Sequence, residues 1–415
     1  MTELGLKIKL HRERKGWNQK ELAEKADVSP ATISGAENGR FTPTPAVLHR
    51  IARELGLEFY ELSTLYPEPK LDTLLEIGYL YVSERHFGQA LNLAHQIQCE
   101  NPPMQEYQLH QLLYLEAFAL TYWEQTRMQG IEALYSLSTK LEGAAHTDQI
   151  FAMRVQNALG AAWYRQLDLI TALHHYKRAI EMLNSFPQTQ DRIVGTIHYN
   201  IGNCLRWLGQ DREAIVYLEK ALPLTLESRN YMSVGGIYFS LGACYQNLHE
   251  MQAASEAFRE AVPWFEAANS QEFAMQSRSL LYFCSPELRA QALPYLEEEL
   301  QTLTGVVHPI DESVTLTRIA SLHLERGELP QAQTALEKAD ALSAKHPRSG
   351  QRGYFLQTYA LYQLAVGNDD AASHYAFEAA DLYASLRFFH TDLQESLRIG
   401  KQAVLRLREG SERTS

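Results

Sequence analysis

Between Gly160 and Ala261 one pattern of small and large apolar positions occurs three times, as LGAAWYRQLDLITALHHYKRAI, IGNCLRWLGQDREAIVYLEKAL and LGACYQNLHEMQAASEAFREAV. Gly160, Gly202 and Gly242 open the pattern, Ala172, Ala214 and Ala254 continue it, and Ala179, Ala221 and Ala261 close it. Tyr176, Leu218 and Phe258 stand between the two alanines of each copy. This predicts two antiparallel helices per copy. Small residues lie where the helices cross, and large ones fill the gap toward the next copy. Such a unit cannot bury its apolar face alone, so copies must stack. Gly78, Ala119, Leu280, Ala320 and Ala360 fall at the Gly202 position, and Ala90, Ile131, Ala292, Ala332 and Ala372 at the Ala214 position, in steps of 38 to 42 residues. The register therefore predicts about eight hairpins over residues 70–390. The copies at 109–138 and 275–300 rest mostly on register.

The first 66 residues follow a different rhythm. A helix over Thr2–Arg14 is expected, with Leu6, Leu10 and Ile8 marking its inner face and Gly16 ending it. Asn18 with Glu21 reads as a capping box opening a second helix that carries Leu22, Ala23 and Ala26. After the tight turn Asp27–Val28, Ser29 caps a third helix with Pro30 at its first position, where the missing N–H costs nothing. That helix points Ile33 inward and ends near Asn38–Gly39. A fourth, Thr44–Leu55, buries Val47, Leu48, Ile51 and Ala52, and a short fifth begins at Phe59 and includes Leu62. Two short helices across a tight turn in a five-helix bundle read as helix-turn-helix.

The expected organisation is a head at 1–66, a linker at 67–71 stiffened by Pro67 and Pro69, hairpins over 72–390, and a capping helix with a frayed tail over 391–415. Turns are expected at Gly143–Thr147, Phe186–Pro187, Ser285–Pro286 and Val306–Pro309. Pro223 and Pro263 share one phase and are expected to bend or stop their helices. Leu382, Tyr383, Leu386, Phe388 and Phe389 form an apolar cluster, either an end cap or a self-association surface.

Charge separates head from body. Residues 1–66 hold ten Lys/Arg and nine Asp/Glu; the other 349 hold 28 and 41. An acidic body repels nucleic acid and leaves the head to meet it. Cys99, Cys204, Cys244 and Cys284 make no CxxC pair; Cys204 and Cys244 share one repeat position and read as buried small residues rather than metal ligands. The charged start lacks the apolar core of a signal peptide, and no apolar run spans a membrane, so a cytoplasmic protein is expected. No phosphate loop, dinucleotide glycine pattern or HExxH occurs, and His174–His175 are adjacent rather than one turn apart. No catalytic residue, cofactor or metal is expected.

Positions counted from the opening glycines place one set of side chains on the inner face of the first helix of each hairpin. Arg154, Asn157, Tyr164 and Arg165 come from the third hairpin, Tyr199, Asn203, Arg206 and Trp207 from the fourth, and Phe239, Gln246 and Asn247, with Gly236, from the fifth. Asparagine amides bracket an extended backbone, arginine clamps a carboxylate, and aromatics line pockets. The expectation is a groove for a short peptide with a free carboxyl end.

The segment QKELAEKADVSPATISGAENGR resembles the phage-repressor or Xre family, over residues 4–63. The repeats resemble the tetratricopeptide repeat, with longer inter-repeat turns. The fold class expected is all-α: a five-helix, lambda-repressor-like head followed by a right-handed solenoid of helical hairpins. The resemblance implies that the third helix enters the major groove N-terminus first. Pro30, Ala31, Thr32, Ser34 and Gly35 are then expected to face the DNA. It implies that Gln19 holds a phosphate or orients its neighbours, that Lys20 is a phosphate contact, and that Asn38, Arg40 and Thr42 meet the backbone. Arg12 and Glu37 match the family's buried structural pair. Gly35 stands where relatives often carry a long polar residue, so base contacts are few and a dimer on a palindromic operator is expected.

The whole architecture resembles the peptide-sensing quorum regulators of Gram-positive bacteria, the Rap/Rgg/NprR/PlcR/PrgX superfamily. That resemblance implies a homodimeric or tetrameric transcription factor controlled by a signalling peptide, with Asn157, Asn203 or Asn247 holding the peptide backbone. The alternative keeps the DNA-binding head and makes the solenoid a platform for another regulatory protein, such as a response regulator.

Overall fold

A computed structural model describes residues 2–66, 70–142, 146–184, 192–227, 230–303, 309–386 and 390–414. The linker prolines Pro67 and Pro69, the turns at 143–145 and Phe186–Pro187, Val306, and Phe388 and Phe389 lie outside the described residues. Among the described residues there is no strand. The chain forms two compact units, Met1–Arg165 and Gln166–Ser415.

The first unit contains α1 (Glu3–Arg14), α2 (Gln19–Lys25), α3 (Pro30–Asn38), α4 (Pro45–Leu55), α5 (Phe59–Ser63), α6 (Leu71–Ser83), α7 (Phe87–Glu100), α8 (Glu106–Leu120), α9 (Arg127–Lys140) and α10 (His146–Arg165). Ile8 is buried as expected, but Leu6 and Leu10 are corrected: they are 57% and 45% exposed, and Leu4 is buried instead. Leu4, Ile8 and Arg12 follow the helical step of four, so Leu6 and Leu10 fall on the far side. The head is not a compact unit by itself. A single apolar core runs from Leu4 through Leu48, Phe59 and Leu62 into Leu75, Tyr81 and Leu115. Ser63 Oγ and Tyr81 Oη lie 2.7 Å apart in it, and the rings of Phe59 and Tyr81 meet at 5.9 Å.

The second unit contains α11 (Leu169–Asn184), α12 (Arg192–Trp207), α13 (Asp211–Glu227), α14 (Tyr231–Asn247), α15 (Met251–Ala267), α16 (Gln271–Cys284), a short 3-10 turn (Arg289–Gln291), α17 (Ala292–Leu303), α18 (Pro309–Glu325), α19 (Leu329–Ser343), α20 (Gly350–Ala365), α21 (Asp369–Leu386) and α22 (His390–Thr414). A Cβ on Gly202 would stand 2.7 Å from Leu218, and one on Gly242 2.7 Å from Phe258. In these two copies the large residue thus covers the glycine of its own hairpin, while Phe258 also joins Leu281 and Cys284 of the next.

The turn inside the hairpins shows the same register. Arg85, Leu167, Gly209, His249, Gly327 and Gly367 all have φ between 60° and 80°, each seven residues after its small opening residue. The copies opening at Ala119 and Leu280, those resting mostly on register, have no left-handed residue at that place. The latter turns instead through Ser285–Pro286.

Pro223 and Pro263 do not stop their helices: α13 and α15 each continue four residues beyond. Both prolines and the residues four before them, Glu219 and Arg259, are exposed. The carbonyls they free can therefore be met by water. Cys204, Cys244 and Cys284 are buried, Cys99 is exposed, and all four are free thiols. Burial pushes the Cys204 thiol up to about 12. Tyr383 lies buried against Gly353, and Ile399 and Ala403 of α22 cover Ala360, Ala372 and Ala376. The expected frayed tail is helical through Thr414.

Candidate nucleic-acid interface and repeat face

The helix-turn-helix is built from local signals. Asn18 Oδ1 accepts from the Glu21 amide at 3.0 Å while Glu21 Oε2 accepts from the Asn18 amide at 2.6 Å, which fixes the start of α2. Asp27, at φ 54°, makes the tight turn. Ser29 Oγ accepts from the Thr32 amide at 3.1 Å, and Pro30 opens α3. Gly39 ends it in the left-handed conformation, φ 70°.

Beneath α3 lies a buried ionic network. Arg12 Nε and Nη2 donate to the two oxygens of Glu37 at 2.6 and 2.9 Å, and Arg12 Nη1 donates to the Trp17 carbonyl at 2.7 Å. The hydrogen bond to Glu37 raises the Arg12 pKa further and holds the guanidinium charged. Gln19 Nε2 donates to Glu37 Oε2 at 2.8 Å, so Gln19 is held by this pair at the start of α2.

Of the DNA-facing candidates, Pro30, Ala31, Asn38, Arg40 and Lys20 are exposed, while Thr32, Ser34, Gln19 and Thr42 are half-buried. Asn38 Nδ2 folds back to donate to the Ser34 carbonyl at 2.8 Å. Gly35 is corrected: it is buried, not outward, because the ring of Phe41 lies on it. Phe41 itself is 48% exposed. The signal for it was an aromatic residue two positions after Gly39, in the loop that reverses the chain at the end of α3. The Lys15 and Lys25 ammonium groups each stand 4.9 Å from the Trp17 ring and add positive charge near the start of α2.

All eleven residues expected on the repeat face are half-buried. They fall in both units. In the first, the Arg165 guanidinium lies 5.5 Å from the Phe118 ring and 6.0 Å from that of Phe87. The positive charge of Arg154 acts on the phenols of Tyr79 and Tyr114. In the second, Asn203 Oδ1 accepts from Ser240 Oγ at 2.8 Å, and Asn247 Nδ2 donates to Asp211 Oδ1 at 3.1 Å. Asn247 thus ties one hairpin to the preceding one. Tyr199 lies over Gly236, its hydroxyl 2.6 Å from where a Cβ would be. Phe239 packs edge-on to Phe258 at 5.6 Å and belongs to the interior of its hairpin.

Arg206 differs from these. Its guanidinium stacks 4.0 Å from the Trp207 ring, yet it makes no hydrogen bond or ion pair with the described residues, and its buried Nε has no partner. Its charge pulls down the pKa values of Asp211 and Asp392, both of which burial raises, Asp392 to about 6.

Residues 8–62 match the helix-turn-helix family, and residues 193–267 match the tetratricopeptide repeat. Over 54 residues, 13% of this chain and 78% of the relative, the sequence is 46% identical to an uncharacterized HTH-type transcriptional regulator of Methanothermobacter thermautotrophicus. Among solved structures, the apo form of RapI aligns with TM-score 0.59 at 15% identity, over 82% of this chain and 99% of that one. A Rap protein complexed with competence and sporulation factor aligns with TM-score 0.53 at 14% identity, over the same shares. The chain belongs to the helix-turn-helix transcriptional regulators. Its particular form is that head fused to tetratricopeptide repeats, in an all-α fold shared with the Rap proteins.

Proposed function

We propose that the protein is a regulator that binds a palindromic operator as a homodimer or tetramer through α2 and α3, and that a short peptide bound on its repeats controls that binding. The observation that carries the second half is Arg206. A half-buried guanidinium stacked on an indole, with no carboxylate paired to it among the described residues, is placed to clamp an incoming carboxylate through its terminal N–H groups. Asn203 sits three residues earlier on α12; its carbonyl is occupied by Ser240, which leaves its amide N–H groups to meet a peptide carbonyl. A Rap protein of the same fold was solved with competence and sporulation factor, which agrees with this use of the repeats. Ligand control requires that the peptide bind two arrangements of the protein with different affinity.

The experiment is operator binding by the full chain, with and without short peptides ending in a free carboxylate, repeated for Arg206→Ala and Asn203→Ala. The expected result is salt-dependent DNA binding that peptide changes in the parent protein and not in the Arg206 variant. DNA binding unaffected by any peptide, together with capture of a folded protein partner by the repeats, would favour the platform reading.

A further inference from the structure

The sequence offers no metal motif, but the fold gathers one outside the DNA-facing and repeat surfaces. The turn between α6 and α7 closes when the His86 amide donates to the Tyr81 carbonyl at 2.8 Å, with Arg85 left-handed at φ 63°. This turn brings Glu84 and His86, which flank Arg85, to the same place as Glu58, the residue before α5. Ligand atoms of Glu58, Glu84 and His86 all lie within 4.8 Å of one another. His86 Nε2 is 2.9 Å from Glu58 Oε2. A fourth group stands behind them: His49 Nε2 is 2.5 Å from Glu84 Oε1. The rings of Tyr60 and Phe59 meet those of His86 and His49 edge-on at 5.3 and 5.5 Å and restrict both imidazoles.

We propose that Glu58, Glu84 and His86 form a binding site for a divalent transition cation of the zinc class, with His49 positioning Glu84. Two carboxylates and one imidazole, with solvent at the exposed Glu58, are a three-protein-ligand set that leaves a place for water. The imidazole favours zinc-class ions over magnesium and calcium, which take oxygen ligands. Zinc bonds of roughly 2.1 Å set ligand atoms about 3.4 Å apart. Ligand atoms within 4.8 Å of one another reach that spacing by small side-chain movements, and the Glu58 side chain is 58% exposed. The metal takes the place of the hydrogen now lying between His86 and Glu58. A histidine hydrogen-bonded to a ligating carboxylate is the outer arrangement that fixes ligand orientation. The ion joins α5 of the head to the α6–α7 turn of the first hairpin, across the core they share.

The test is calorimetric titration of tag-free, chelator-treated full chain with Zn2+, and separately Mg2+, with Co2+ absorption to report coordination. The expected result is about one Zn2+ per chain, no comparable Mg2+ binding, and a rise in melting temperature with Zn2+. His86→Gln and Glu58→Gln are expected to abolish that binding. His49→Gln is expected to keep the stoichiometry and weaken affinity about 10- to 100-fold. Circular dichroism of each variant checks the fold; Glu58, being exposed, keeps the test valid should His86→Gln not fold. Absence of saturable Zn2+ binding, binding that survives both Gln variants, or equal affinity for Mg2+ would overturn the assignment. None of these outcomes depends on operator or peptide binding.

Discussion

The ring of Phe41 occupies the space where a side chain on Gly35 would begin. A Cβ on Gly35 would fall 2.1 Å from Phe41 Cε1. Helix α3 thus carries an aromatic lid over Gly35. Gly35→Ala is expected to destabilise the head by about 1–3 kcal/mol through overpacking. The same change in a Phe41→Ala background is expected to cost much less. Thermal melting of the four proteins in the cycle measures this coupling, and equal costs in both backgrounds would contradict it.

Arg12 and Glu37 are 8% and 1% exposed at their side chains. Removing one partner leaves a buried charge, so Arg12→Ala or Glu37→Ala is expected to cost about 3–5 kcal/mol in urea unfolding. Gln19→Ala, which removes a neutral donor from the same carboxylate, is expected to cost less. An operator-binding defect in Gln19→Ala with stability near the parent would mark a role at the DNA.

The turn residues provide a test of the repeat register. His249 is exposed and left-handed, a conformation disfavoured for any residue but glycine. His249→Gly is expected to stabilise the protein by roughly 0.5 kcal/mol or more, and Gly209→Ala at the equivalent place to destabilise it by about 1 kcal/mol. Opposite signs in the denaturation midpoints are the readout.

Asp392 and Glu299 carry pKa values raised by burial, to about 6 and about 7. For an acid raised above its unfolded value the native state holds more protons, so stability falls as pH rises through about 4 to 7 and stays low above that window. His175, lowered by burial to about 4, acts with the opposite sign between its folded value and 6.5. The parent profile therefore mixes both slopes, and a variant must isolate one. Asp392→Asn is expected to raise stability above pH 6, on the order of 2 kcal/mol, and to leave it unchanged near pH 4. Melting temperatures across that range check the sign.

Much of the helix pattern was legible because its signals are local. The Asn18–Glu21 box, Ser29–Pro30 and Gly39 each act within a few residues, and the forty-residue rhythm repeats often enough to fix a register. Leu6 and Leu10 of α1 do not face inward with Ile8 because the apolar residues run at every second position, which matches either side of a helix; only packing decides for Leu4. The cover on Gly35 was not legible, since it depends on how a loop folds back onto a helix. The cluster of Glu58, Glu84 and His86 joins segments with no common motif. On the repeat face, counting from glycines found partly exposed positions, but it could not show that Asn247 is spent on Asp211 or that Phe239 belongs to its hairpin's interior.

The buried meeting of Ser63, Phe59 and Tyr81 means that the reading head is mortised into the first hairpins rather than hung from them. Cutting the chain after residue 66 would bare the greasy underside of α5. A chimera that trades operator preference must accordingly carry α6 and α7 along with the head, because those helices are its foundation.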